Sequence, residues 1–155
     1  MSLTIRPARS DDRDNIIALI DGVYREYGDK IHLAGADADL LDIDGAYRTT
    51  SGEFVVLADR ESVFGTHAVL PLEERPGVGT FRRLYLAASL RGQGYGDVLM
   101  RWAIQWAQSH ALMRIEFWSD TRFGHAHRFF ARHGFARDGR TREMDDGAMP
   151  YREHL

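Results

Sequence analysis

Three apolar segments follow one another with short links, and then the period of the chain changes. Phe54-Val55-Val56-Leu57-Ala58, Val63 to Leu70 and Thr80 to Ala87 each read as strands. Asp59-Arg60-Glu61-Ser62 is suited to a hairpin turn between the first two. Pro71 to Gly79 carries two Pro and two Gly and reads as a loop. Strands this close in sequence pair most simply as an antiparallel meander. After Arg91 the apolar positions Val98, Leu99, Trp102, Ala103, Trp106 and Ala107 recur every three or four residues, which predicts a long helix. Strands followed by a strand-helix-strand-helix run predict an α+β fold, a mixed and mostly antiparallel sheet covered by helices.

The remaining segments fit that plan. Leu3 to Arg6 alternates and reads as a first strand ended by Pro7. Ser10 and Asp11 offer a cap for a helix whose apolar face is Ile16, Ile17, Ile20, Val23, Tyr24 and Tyr27, with Gly28 at its end. Leu40, Leu41 and Ile43 suggest a short second helix. The neighbouring Asp37, Asp39, Asp42 and Asp44 read as a solvated loop that could also attract a cation. Met113 to Trp118 is another strand. Ala126, Phe129, Phe130 and His133 give a shorter helix capped at Gly134. Arg137 to Met144 and Ala148 to Leu155 are further strand candidates around Asp145-Asp146-Gly147. No repeat or linker divides the chain, and its 155 residues suit one domain spanning 1–155.

Composition excludes several classes. There is no cysteine, hence no disulfide, thiolate metal site or cysteine nucleophile. Net charge is −3, so no basic field argues for nucleic acid. No apolar run suits a signal peptide or a membrane span, and the expectation is a cytoplasmic protein without a metal. His125 and His127 would point roughly 200° apart on a helix, which does not suit shared metal ligation.

The chemistry concentrates at Arg91-Gly92-Gln93-Gly94-Tyr95-Gly96. Glycines let backbone N–H groups converge on a ligand, and the following helix N-terminus adds its partial positive charge. Together they suit a phosphate, with Arg91 able to add a charged contact. A Walker A loop would need Gly-Lys-Ser/Thr where Asp97-Val98 stand. In a Rossmann fingerprint the third glycine would fall one residue later and the setting would be an N-terminal βαβ unit.

Arg91-x-x-Gly94-x-Gly96 resembles the Gln/Arg-x-x-Gly-x-Gly/Ala signature of the GNAT family, the Gcn5-related N-acetyltransferases. Ala126-x-x-Phe129-Phe130-x-x-x-Gly134-Phe135 is similar to that family's second segment, and the element order agrees from Ile5 to the tail. The resemblance implies acetyl-CoA as co-substrate, held between two splayed parallel strands, here Thr80–Ala87 and Met113–Trp118. Pantetheine would pair with the main chain of Leu84 and Leu86. The pyrophosphate would rest on Arg91, Gly92, Gln93, Gly94, Tyr95, Gly96 and Asp97, with Phe130 also at the cofactor. A backbone N–H near Leu86 would polarise the thioester carbonyl.

The reaction it implies is direct attack by a neutral primary amine of a small molecule or polypeptide, in a monomer or homodimer. Such an amine, with a pKa of about 10.4, must first lose a proton. The sequence departs from the family at Phe130, where a Tyr commonly supplies a proton to the leaving thiolate. Water, Tyr85, a tail residue or unassisted departure are the alternatives. Thr80 and Arg82 stand where some members carry a base. Arg82 cannot act as one and suits a clamp for a carboxylate or phosphate. His67 is a base candidate facing either core or cleft. Phe123 replaces a frequent Asn, for which Ser119, Asp120 or Thr121 could compensate. A non-catalytic acyl-CoA-binding module, a nucleotide-binding protein and transfer of a longer acyl group stay open.

Overall fold

The computed structural model describes residues 2–120, 124–136, 141–143 and 151–154. The chain divides into two compact units, Met1–Ile115 and Glu116–Leu155. The first contains strands β1 (Thr4–Pro7), β2 (Glu53–Ala58), β3 (Val63–Pro71), β4 (Val78–Leu86) and β5 (Arg114–Ile115), side by side in that order. The pairs from β1 to β4 are antiparallel, and β4–β5 is parallel. Helices α1 (Arg13–Arg25) and α2 (Tyr95–Ser109) flank the sheet. The protein is therefore an α+β fold with a mixed, mostly antiparallel sheet, as its periodicity predicts.

The pleat sorts the core into two faces. Val55 and Leu57 turn toward α2, where they cluster with Leu90 and Leu99 and the partly buried Leu84, Leu86 and Trp102. Gly65 lets that helix come close, since a Cβ there would stand 3.1 Å from Leu99. The alternate residues face α1: the Tyr24 ring meets Tyr85 edge-on at 5.8 Å, and Tyr47 meets Phe54 at 5.2 Å. Ile16 and Ile20 of α1 are fully buried, each contributing about 1.5–3 kcal/mol.

Local details depart from the sequence reading where side-chain bonds decide. The entry to α1 is held by Asp12 rather than Ser10 or Asp11. Its carboxylate accepts from the Arg9 N–H at 2.7 Å and from both ends of the Arg6 guanidinium. The short second helix is a 3-10 turn, Ala38–Leu41, followed by a single π-helical turn, Asp44–Arg48. The hairpin at Asp59 forms as expected, its carboxylate accepting from the Glu61 and Ser62 N–H groups. The strand expected over Met113–Trp118 is two short ones, with Glu116 and Phe117 between them.

The second unit holds β6 (Trp118–Asp120), α3 (Gly124–Arg132), β7 (Thr141–Glu143) and β8 (Tyr151–His154), with the three strands antiparallel in the order β6-β8-β7. Phe117, Phe129, Phe130 and Phe135 form its aromatic cluster, in which the Phe117 and Phe130 rings lie 4.8 Å apart. Gly134 adopts φ 90° after α3, the left-handed cap its position predicts.

Candidate active site

The β4–α2 connection is built by backbone. Val78 pairs with Arg114 and Gly79 with Ile115, and there the parallel pairing of β4 with β5 ends. The Ala87 N–H donates to the Phe64 carbonyl. That makes Leu86 opposite Gly65 a non-hydrogen-bonded pair, so the amide groups of Leu86 point away from β3, toward the β5 edge. By the same alternation Leu84 points there too. At the end of this edge the chain makes a 3-10 turn, Ala88–Leu90, and enters α2.

The two glycines before that helix are conformational necessities. Gly92 has φ 77° and Gly94, the residue preceding α2, has φ 88°. A Cβ at either would meet nothing within 4 Å. What they supply is the left-handed turn, and crowding plays no part. No side chain caps α2, and its first backbone bond runs from the Val98 N–H to the Gly94 carbonyl. The Tyr95 and Gly96 amides precede that bond and have no carbonyl one turn back to receive them. This is the arrangement at which an anion is favoured.

Arg91 is occupied differently from the expectation. Its guanidinium grips both carboxylate oxygens of Glu26, beyond the end of α1, and donates from Nε and Nη2 to the Leu86 carbonyl at 3.1 and 2.9 Å. The Glu26 bond holds Arg91 above its ordinary range and Arg91 holds Glu26 below its own. Arg91 thus fixes the mouth of the loop, and of Leu86's two backbone groups the N–H is left for a ligand. Gln93 donates to the Ser89 carbonyl and tightens the same turn.

The other face of β4 is built by side chains. One residue of β3, His67, stands opposite two of β4, Arg83 and Leu84. This bulge puts Arg83 at φ 60°, a conformation uncommon outside glycine. It turns Arg83 onto the α1 face beside Arg82. There the guanidinium donates to Asp37 at 2.9 Å, to both Asp39 oxygens, and to the Tyr24 hydroxyl at 3.0 Å. Asp37 also accepts from the Tyr24 hydroxyl and the His32 N–H, and Asp39 from the Tyr47 hydroxyl. Burial would lower the Arg83 pKa, but the Asp39 carboxylate, to which it also donates, holds it well above the usual value. Burial pushes the phenols of Tyr24 and Tyr47 upward, so both stay protonated.

Several expectations change here. Asp37 and Asp39, read as part of a solvated run, are anchored partners of Arg83, and Asp37 is only 2% exposed. Arg82 is exposed and makes no ion pair among the described residues. Tyr85, half-buried on the same face, donates to the Tyr24 hydroxyl at 3.3 Å. His67 lies elsewhere: it is fully buried on the α2 face, between Phe81 at 5.1 Å and Trp102 at 6.2 Å. Burial depresses its pKa to about 4. A ring without solvent access does not suit exchange of a proton with an incoming amine, and this placement argues for the core option. Phe130 is buried and brings no proton. The side chains of Asp120, His125 and Glu143, and Thr121 and Phe123 altogether, lie outside the described residues. Among the described residues no His/Asp/Glu cluster could hold a metal ion, and no helix is long and apolar enough to cross a membrane.

Comparison with known proteins gives a consistent picture. The family model described as "Acetyltransferase (GNAT) family" matches residues 18–135. An aminoalkylphosphonate N-acetyltransferase of Salmonella typhimurium is 28% identical over 134 residues, covering 84% of this chain and 83% of that protein. A GNAT-family acetyltransferase structure from Staphylococcus aureus Mu50 superposes with a TM-score of 0.84 at 16% identity, covering 98% of each chain. An acetyltransferase structure from Streptococcus agalactiae 2603 gives 0.82 at 20% identity, covering 97% of this chain and 96% of the other. At those identities the two structures speak for the fold.

Proposed function

The chain belongs to the GNAT acetyltransferase family and is an N-acetyltransferase, and from that premise we propose that it transfers acetyl from acetyl-CoA to the primary amine of a small anionic molecule. The observation that carries the donor half is the free β4 edge running into the uncapped start of α2. In this reading pantetheine pairs along Leu84 and Leu86. The pyrophosphate rests on the amides from Gly92 to Asp97, and the Leu86 N–H stabilises the oxyanion. The carbonyl carbon is attacked by the neutral amine nitrogen, the C–S bond breaks with its electrons on sulfur, and the surplus proton on nitrogen passes to solvent, from which the thiolate takes one to leave as free CoA thiol.

The acceptor half rests on Arg82 and Tyr85, which share one face of β4 across the bulge. A short amine carrying a carboxylate, phosphate or phosphonate could place its anion at Arg82 and its nitrogen toward Tyr85. The relative that acts on aminoalkylphosphonates supports an anionic acceptor.

The test is release of free CoA thiol from acetyl-CoA over a panel of primary amines that includes 2-aminoethylphosphonate, small amino acids, peptide N-termini and an uncharged alkylamine. The expected result is turnover of the anionic amines at lower KM than the alkylamine, with Arg82→Gln raising that KM roughly tenfold or more. Silence across the panel with acetyl-CoA bound would overturn the proposed activity. A preference that survives Arg82→Gln would overturn the role of Arg82 alone.

A further inference from the structure

The hydroxyls behind β4 form a chain with a defined polarity. A phenol has one proton to donate and two lone pairs to accept with. Asp37, an ionised carboxylate beside Arg83, can only accept, so the 2.9 Å bond between it and Tyr24 consumes the Tyr24 proton. Arg83 can only donate, so its 3.0 Å contact occupies one Tyr24 lone pair. The remaining lone pair faces the Tyr85 hydroxyl at 3.3 Å, and since Tyr24 has no proton left to give, the donor across that contact is Tyr85. Tyr85 therefore spends its own proton inward and keeps its oxygen lone pairs for whatever stands in front of it.

Taking the proposed acetyl transfer as given, we propose that Tyr85 is a catalytic residue acting as a fixed hydrogen-bond acceptor for the attacking amine, and that Arg83 is the positioning residue that sets its polarity. A primary amine presents N–H to the Tyr85 oxygen, which aims the nitrogen lone pair at the thioester carbonyl. As the N–C bond forms, positive charge builds on nitrogen and its N–H becomes a stronger donor. The bond to Tyr85 is then stronger in the transition state than in the ground state, the condition for raising kcat. No proton needs to leave Tyr85 for this. Alternation alone puts Arg83 and Tyr85, two residues apart, on one face, and the bulge adds Arg82 to it.

The experiment uses the full chain, acetyl-CoA and the panel amine with the fastest wild-type thiol release. Tyr85→Phe removes the acceptor oxygen and is expected to lower kcat about 10- to 100-fold, leaving the acetyl-CoA Kd within about twofold. Tyr24→Phe keeps that oxygen but frees its proton to turn outward, and a smaller drop in kcat is expected. Arg83→Lys keeps a charge without the fork. It is expected to lower kcat with the KM for acetyl-CoA unchanged, the split that a general loss of structure would not give. Wild-type turnover combined with a Tyr85→Phe kcat within twofold of it would overturn this proposal while leaving the acetyltransferase reading intact. A kcat unchanged in Tyr24→Phe would overturn the polarity argument. A wild-type chain silent over the whole panel would overturn the parent reading and this one with it.

Discussion

The two sides of β4 reach order by different means. On the proposed donor side the groups are backbone amides presented by Leu86, the Gly92 and Gly94 turns and the first residues of α2, all within about a dozen positions. On the proposed acceptor side the groups are side chains. Arg83 reaches Asp37 and Asp39 across 46 and 44 residues, and Tyr85 reaches Tyr24 across 61. A backbone site depends on dihedral angles and is indifferent to most side-chain changes around it. A side-chain site depends on charge balance in a buried place, so it fails abruptly when one member goes.

Substitutions can separate the two behaviours. The largest effect is expected at Arg83: replacing it by Ala leaves the buried Asp37 and the partly buried Asp39 without their cation, and a loss of about 3–5 kcal/mol of stability is expected in urea unfolding. A loss under 1 kcal/mol would mean the acceptor side is not organised by this charge.

His67, behind the bulge on the opposite face, gives a pH lever. Its pKa falls on folding from 6.5 to about 4, so between those values the unfolded chain binds more protons than the folded one. Stability is then lost as pH falls through that window, by about 2 kcal/mol between pH 7 and pH 5. His67→Asn should remove that share of the slope.

Gly94→Ala is expected to cost about 1–2 kcal/mol and to weaken acetyl-CoA binding severalfold, since Ala at φ 88° is strained although nothing obstructs its Cβ. Gly94→Asn should be milder, because Asn tolerates the left-handed region. Equal losses for Ala and Asn would mean that size matters there after all.

The smallest effect belongs to the half-exposed Arg91–Glu26 pair. Glu26→Gln should change stability by less than about 1 kcal/mol in unfolding curves, and less still at high salt.

The same contrast explains what could be read in the sequence. The meander, α2 and the glycine turn are local, and alternation, helical spacing and a strand-to-helix glycine cluster record them directly. The acceptor side is long-range. Asp37 and Asp39 stand in an acidic run with the same letters a solvated loop would use, and nothing local says that an arginine more than forty residues on neutralises them. The bulge is what hid the part played by Arg83. Simple alternation assigns Arg82 and Arg83 to opposite faces, and the inserted residue puts them on one. The adjacent Arg pair within a strand was the available signal. His67 could not be sorted between core and cleft because a histidine in an alternating strand suits either face, and packing against Phe81 and Trp102 is decided by tertiary structure.

The most direct test of the donor side is an amide-resolved NMR titration of the protein with acetyl-CoA. The expected result is that the N–H signals of Leu84, Leu86, Gly92, Gly94, Tyr95 and Gly96 shift together with one Kd while those of β1 and β2 stay in place. Saturable acetyl-CoA binding that leaves Leu86 and the Gly92–Gly96 amides unmoved would contradict a cofactor site built from this strand edge and helix start.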